Sequence, residues 1–373
     1  MRILFILEHF HPYLGGNETL FRNLTTALAA KGHEVTVLTT KFRPDLPADE
    51  HFERVRIRRV SSWNRYIFTF MSFPVAWRLA RHADVVHTAS YNAAPAAWLA
   101  ARLTGKPVVI TFHEVWGVLW FRLPFISPVS RRLNHWFEKL ILKLPFTRFI
   151  AVSGSTRRRL VQAGVPAAKV DVVYNGLDYS RLHRIKGTGA DPAGSVTQTR
   201  GFRYCYFGRL GASKGLEILL AAAAEFSHEA PGSRLVLIIP TYPRGLYRVI
   251  MNGIRRLGLS THLEIHHLLP FEDLLRVLAS VDCVVIPSYS EGFCYSAAEA
   301  CALGIPVVSS DRMALRETVG GKCIRMRSLD KAGLLEALRQ ALRNEWEVLP
   351  DKRFPLDDTV AGYEAVYESL VGS

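Results

Sequence analysis

The sequence predicts an α/β protein built of two doubly wound parallel-sheet domains in tandem, on the strength of three observations. Short apolar runs alternate with longer stretches of helical spacing through the first half of the chain. The same alternation starts afresh after a segment rich in Gly, Thr and Ser. A length of 373 residues matches two domains at about 100–200 residues each.

In chain order, the apolar runs at 2–8, 34–40, 84–88, 107–112 and 148–152 read as buried strands. Between the first two, Leu20, Leu24, Ala27 and Leu28 recur at the spacing of one helix face. The segment "KGTGADPAGSVTQTR" at 186–200 has linker composition, which sets a first domain at 1–180, a linker at 181–200 and a second domain at 201–356. The second series of strands is "FRYCYFG", "RLVLIIP", "LEIHHLL", "DCVVIP" and "PVVSS". The terminal "DDTVAGYEAVYESLVGS" reads as one more amphipathic helix. Two such domains are expected to leave a cleft, with ligands at the carboxyl ends of the strands.

Composition narrows the function. No apolar run reaches the roughly 18 residues of a membrane span, and "MRILFILEHF" fits a first strand better than a signal peptide, so a cytoplasmic protein is expected. The five cysteines, Cys205, Cys283, Cys294, Cys301 and Cys323, form no CxxC pair and read as small core residues rather than disulfide or zinc ligands. The formal charge of +14 is uneven: residues 1–175 hold 24 Lys and Arg against 11 Asp and Glu. A basic first half attracts nucleic acid, anionic lipid or phosphorylated substrates, and charge alone does not choose among them.

Three stretches carry candidate chemistry. In "HPYLGGNETLF", Gly15 and Gly16 precede a helix, where paired glycines form either a tight turn or a close backbone approach to an anion. In "FGRLGASKG", Arg209 and Lys214 follow a strand, giving either a solvated basic loop or a forked and a point-charge donor for a diphosphate. In "EGFCYSAAEA", Glu291 and Glu299 stand eight positions apart around a helix start near Phe293 or Cys294. They either decorate that helix start or grip two parts of one ligand, a ribose being a suitable partner for the second. The sequence contains no DxD cluster of the kind that holds a divalent ion against a diphosphate.

These segments, together with "GHEVTVLT", "ADVVHTAS", "ITFHE", "IAVSGSTRR", "VVYNGLD" and "ALGIPVVSSD", resemble glycosyltransferase family 4 over nearly the whole chain. The resemblance implies the GT-B fold, two Rossmann-like domains facing a central cleft, with the C-terminal helix 357–373 packing back on the first domain. It implies a retaining hexosyltransferase that uses a nucleotide-diphosphate sugar as donor substrate, with no metal and no other cofactor. Carried over by position, Arg209 and Lys214 bind the diphosphate, and Glu299 the ribose. Glu291, Gly292 and Phe293 meet the transferred sugar, and Tyr295 and Ser296 offer N–H groups to phosphate. His113, which otherwise reads as an ordinary strand-end histidine, takes the active-site histidine position. With Arg209 and Lys214 in place of a metal, the departing diphosphate is stabilised electrostatically. Cys294 and Tyr295 depart from the family's usual pair of Gly and a hydrophobic residue.

The first half also carries "SSWNRYIFTFMSFPVAWRLAR" and "VWGVLWFRLPFISPVSRRLNHWFEKLILKLPF". In the latter, Arg131, His135, Lys139 and Lys143 recur every fourth residue beside Trp136, Leu140 and Leu144, a basic amphipathic helix able to pack on the sheet or to lie on anionic lipid. Trp116, Trp120, Phe121 and Phe125 are hard to bury together. The expectation is a peripheral protein on the inner face of the cell membrane acting on a lipid-linked acceptor, in glycolipid, lipid-linked oligosaccharide or polysaccharide synthesis. Alternatives are a soluble acceptor, a nucleotide-sugar epimerase of the same fold, or a silent partner subunit. No nucleic-acid module is legible, so nucleic acid is not an expected partner.

Overall fold

A computed structural model describes residues 1–13, 15–62, 64–89, 91–186 and 201–372. The chain divides into two compact units, one of residues 1–121, 128–176 and 354–373, the other of 122–127 and 177–353. Among the described residues, no helix is long and apolar enough to cross a membrane.

The first unit is an eight-stranded sheet of β1 (Arg2–Ile6), β2 (Glu34–Thr40), β3 (Asp49–Phe52), β4 (Val55–Val60), β5 (Val85–Ala89), β6 (Val108–Phe112), β7 (Arg148–Ala151) and β8 (Val170–Val172). Its order is β3-β4-β2-β1-β5-β6-β7-β8, parallel except for the β3–β4 hairpin. Five of these strands fall on the expected apolar runs. The hairpin escaped sequence reading because "DEHFERVRIRRV" alternates charge with apolar residues at an edge.

Alternation along the central strands gives the sheet two working faces. Leu4, Ile6, Val86 and Ile110 share a core with Phe68 and Ala76 of the helix Arg65–Ala80, Ala97 and Ala101 of the helix Ala94–Thr104, and Ile141 of the helix Pro128–Lys143. On the opposite face, Phe5 and His87 are aligned neighbours that meet Phe21 of the helix Gly16–Ala30 and Tyr367 of the helix Leu356–Val371. His87 Nδ1 lies 2.9 Å from Tyr367 Oη, His87 Nε2 lies 3.0 Å from Thr111 Oγ1, and that hydroxyl lies 3.0 Å from Tyr363 Oη. Burial drives the His87 pKa down to about 3, which keeps the ring neutral inside this chain of hydroxyls. The C-terminal helix is thus an element of the first unit, and Tyr363 and Tyr367 are fully buried there, each ring contributing on the order of 1.5–3 kcal/mol.

The second unit is a seven-stranded sheet of β9 (Arg203–Phe207), β10 (Arg234–Ile238), β11 (Leu263–His266), β12 (Cys283–Ile286), β13 (Val307–Ser309), β14 (Gly321–Arg325) and β15 (Glu347–Leu349), in the order β11-β10-β9-β12-β13-β14-β15. All neighbours are parallel except β14 and β15. Both units are therefore α/β with helices between parallel strands, as the sequence predicted. The expected linker at 181–200 is corrected at its start: residues 181–186 continue the helix Tyr179–Lys186, where the Arg181 guanidinium sits 4.0 Å from the Phe271 ring centroid. Residues 187–200 lie outside the described residues. Among the cysteines, Cys205, Cys283 and Cys323 are buried and Cys294 and Cys301 half-buried, all as free thiols.

Candidate functional site

In the second sheet, the chain leaves β9 for β10 on one side and leaves β12 for β13 on the other, while β9 and β12 are neighbours. The strand order reverses between these two, and that is where a doubly wound sheet opens a crevice at its carboxyl edge. The two loops that end there are 208–215, after β9, and 287–294, after β12. They carry the candidate residues Arg209, Lys214, Glu291, Gly292 and Phe293.

The loops are tied together. Tyr289 N donates to Ser213 O across them at 2.7 Å, while Tyr206 Oη of β9 braces its own loop by donating to Arg209 O at 3.0 Å. Gly215 begins the helix Leu216–Glu229 in the left-handed region (φ +65°), and a Cβ there would run into the Pro287 carbonyl. Only glycine meets both conditions. At the centre, Lys214 Nζ donates to both Glu291 carboxylate oxygens at 2.8 Å, and Ser288 Oγ donates to Oε1 at 2.7 Å. Glu291 and Ser288 are buried. Sequence reading gave Lys214 and Glu291 separate partners, a phosphate and a sugar; the structure joins them in one ion pair. Arg209 is exposed.

The helix after this loop runs Tyr295–Leu303, one or two residues later than expected, so Glu291 to Cys294 are loop and a fully helical spacing from Glu291 to Glu299 does not apply. Tyr295 and Ser296 are its first two residues, in the turn whose N–H groups face the N-terminal end of the helix. Ser296 Oγ donates to Phe207 O at 2.8 Å, fastening the helix start to the end of β9. Phe293 is buried and its ring lies edge-on to Tyr295, 5.4 Å between centroids. Cys294 precedes the helix at φ +76°, a conformation that strains a residue with a Cβ and that the family's usual glycine adopts freely. Burial pushes its thiol well above the ordinary range, helped by the neighbouring Glu291 charge. Further along the helix, Glu299 is half-buried, and burial raises its carboxyl to about 7 against the opposing pull of Arg181.

His113, Gly15 and Gly16 belong to the first unit and are described within it. His113 follows β6; Thr156 Oγ1 donates to its carbonyl at 3.0 Å, and its ring lies edge-on to Phe21, 6.2 Å between centroids. Gly16 starts the helix that carries Phe21, and Gly15 before it is extended (φ 177°), so no left-handed turn demands glycine there. The loop after His113 is clasped by a residue that sequence reading passed over. Glu138, 1% exposed, accepts from Tyr91 Oη (2.9 Å), Trp116 N (2.9 Å), Gly117 N (2.7 Å) and Trp120 Nε1 (3.3 Å). One signal was available: it is the single carboxylate in residues 115–147. Ser288 and Arg181, the neighbours of Glu291 and Glu299 that sequence reading also missed, had no such signal, since a serine or arginine near a loop is commonplace.

Comparison with known proteins places this geometry in context. Residues 14–181 match the model described as Glycosyltransferase Family 4, and residues 201–344 match Glycosyl transferases group 1. The chain is 28% identical to a glycogen synthase of Mycobacterium tuberculosis, over 92% of this chain and 86% of that one. It is 26% identical to a GDP-mannose:cellobiosyl-diphosphopolyprenol alpha-mannosyltransferase of Xanthomonas oryzae, over 83% and 79%. Among solved structures, sucrose-phosphate synthase from Thermosynechococcus elongatus shares the fold at a TM-score of 0.80 and 20% identity, covering all of both chains. HepE of Anabaena, solved in complex with UDP-glucose, shares it at 0.69 and 17% identity, over all of this chain and 95% of that one.

Proposed function

The chain belongs to glycosyltransferase family 4, and on that premise we propose that it transfers a hexose from a nucleotide-diphosphate sugar to a lipid-linked or membrane-associated acceptor, with retention of configuration and without a metal. The observation that carries the donor half is the Lys214–Glu291 pair at the strand-order reversal, flanked by the exposed Arg209 and the helix start at Tyr295. A diphosphate arriving there meets a guanidinium, an ammonium and two backbone N–H groups, enough positive potential to stabilise the charge that develops as the sugar departs. Lys214 is shared between the phosphate and Glu291, leaving the carboxylate to accept from the sugar's hydroxyls. Gly292 and Phe293 present backbone to the same sugar, Glu299 accepts from the ribose, and Gly15 and Gly16 offer backbone to the donor. His113 is assigned to the transferred sugar and the acceptor. The relative named as a polyprenol-linked mannosyltransferase supports a lipid-linked acceptor, while the one named as a glycogen synthase acts by its name on a glucan.

Thermal-shift titration with UDP, GDP, ADP and their sugars, with and without EDTA, tests the donor site. One nucleotide family is expected to raise the melting temperature by several degrees regardless of chelator, and Arg209→Ala to abolish the shift. NMR of the product distinguishes retained from inverted linkage, and isomerised donor in the absence of acceptor would indicate an epimerase instead. No shift with any nucleotide would remove the donor site.

A further inference from the structure

The first unit exposes its large apolar side chains unevenly. Of the thirteen described for this unit, eight lie on the three helices that cover the same face of its sheet, 65–80, 94–104 and 128–143. They include Phe70 (77% exposed) and Met71 on the first helix, Leu103 on the second, and Leu133, Trp136 (72% exposed) and Leu140 on the third. Isolated exposed leucines need no explanation, whereas a concentration on one layer marks a surface meant to be covered.

The charge on this layer has one sign. Arg78, Arg102, Arg132, Lys139 and Lys143 are exposed on the same helices. At about 100° per residue, Arg132, Lys139 and Lys143 fall along one flank of the stripe formed by Leu133, Trp136 and Leu140. The three helices contain one carboxylate between them, Glu138, and it faces inward onto the loop 116–120. The sequence expectation for the third helix is corrected in detail. Arg131 and His135, expected on the basic stripe, turn to the adjoining turn Gly117–Phe121, where Arg131 Nη1 donates to Phe121 O at 3.2 Å and His135 Nδ1 lies 3.0 Å from Gly117 O. Ile141 packs on the sheet and Trp120 is buried, yet the outward face stays apolar and basic.

From this layer we infer that the outward face of helices 65–80, 94–104 and 128–143 docks on an anionic phospholipid bilayer. Leu133, Trp136, Leu140, Phe70 and Met71 enter the headgroup boundary, and the flanking Arg and Lys side chains pair with lipid phosphates. Leu133, Leu140 and Met71 offer nucleic-acid bases nothing to stack on, which leaves Trp136 and Phe70 too few and too far apart in the chain for a stacking track, and an unopposed positive charge repels a second copy of the same face. The inference rests on the membrane-associated acceptor proposed above for its purpose, and on exposure and charge for its physics.

Flotation of the full chain with vesicles of phosphatidylcholine, alone or with roughly a third phosphatidylglycerol, tests it at low and at high salt. Binding is expected to need the anionic lipid, to weaken with salt, and to fall about tenfold in each of two double variants, Trp136→Ser with Leu140→Ser and Phe70→Ser with Met71→Ser. Val172→Ser with Val371→Ser, exposed sites off the layer, is expected to leave it unchanged. Circular dichroism of each variant confirms that losses are not unfolding. Absent binding to anionic vesicles, equal loss in the off-layer variant, or self-association through this face in place of lipid binding would overturn the proposal. Nucleotide thermal shifts in the same samples keep the two readings apart: vesicle binding without a nucleotide shift upholds the surface and rejects the donor site, and the converse rejects the surface alone.

Discussion

Glu138 in the first unit and Glu291 in the second are both nearly enclosed carboxylates, held by opposite kinds of partner. Glu138 accepts from four neutral donors, two of them backbone N–H groups of a single loop. Glu291 is held by an ammonium on a neighbouring loop and by one hydroxyl, at the edge where two strands end. The first arrangement surrounds the acid with neutral donors, of which Tyr91 Oη also reaches Glu114 O at 3.0 Å, and makes it a fastening. The second contains a cation, the kind of donor that an arriving anion would recruit under the proposed donor reading. Burial alone does not separate a structural carboxylate from a functional one; the mobility and charge of its donors do.

That contrast is open to three measurements. Removing the fastening has the largest effect: Glu138→Ala leaves several buried donors unsatisfied and is expected to lower stability by about 3–5 kcal/mol in urea unfolding, with the loop that follows His113 loosened. A loss below 1 kcal/mol would show the clasp to be idle. Next, Lys214→Ala is expected to cut kcat by ~10²–10³, equivalent to ~2.7–4 kcal/mol of transition-state stabilisation, with a smaller change in donor affinity. Near-normal turnover would make Lys214 a partner of Glu291 and nothing more.

The smallest effect concerns Glu299, whose carboxyl burial raises to about 7 against the pull of Arg181. In the role proposed for it the ionised form accepts from two ribose hydroxyls, so with the carboxyl raised to about 7 donor binding is strongest well above pH 7 and is lost as the pH falls through it. Calorimetric titration is expected to give a Kd about tenfold weaker at pH 6 than at pH 8, and Glu299→Gln to flatten the difference. A flat profile in the unmodified chain would remove Glu299 from the ribose.

Much of the site was readable because its parts are local. Arg209 and Lys214 follow one strand and Glu291 to Glu299 another, and strand, loop and helix start are all signalled by short-range pattern. What links the two loops was not readable, since Lys214 and Glu291 lie far apart in the chain and no spacing rule pairs them. Glu138 was missed for a related reason: a lone acid on a basic helix looks like a solvated face until its four donors are seen folding back from 91 and 116–120. The basic amphipathic segment was read correctly as a class, yet Arg131 and His135 fell on its wrong side because helical period gives the faces of a helix and not which one the neighbouring turn will cover.

The sequence by itself determined two α/β units and the resemblance to the family, and it picked out the two loops now proposed to hold an anion, because apolar periodicity and glycine-bearing strand ends act over a few residues. Only the tertiary structure decided that Lys214 closes on Glu291, that Glu138 faces inward, and that the apolar side chains of helices 65–80, 94–104 and 128–143 share one outward layer. Those outcomes depend on which strands become neighbours and which face of the sheet each helix covers, and contacts across such distances in the chain are settled by packing the whole unit at once.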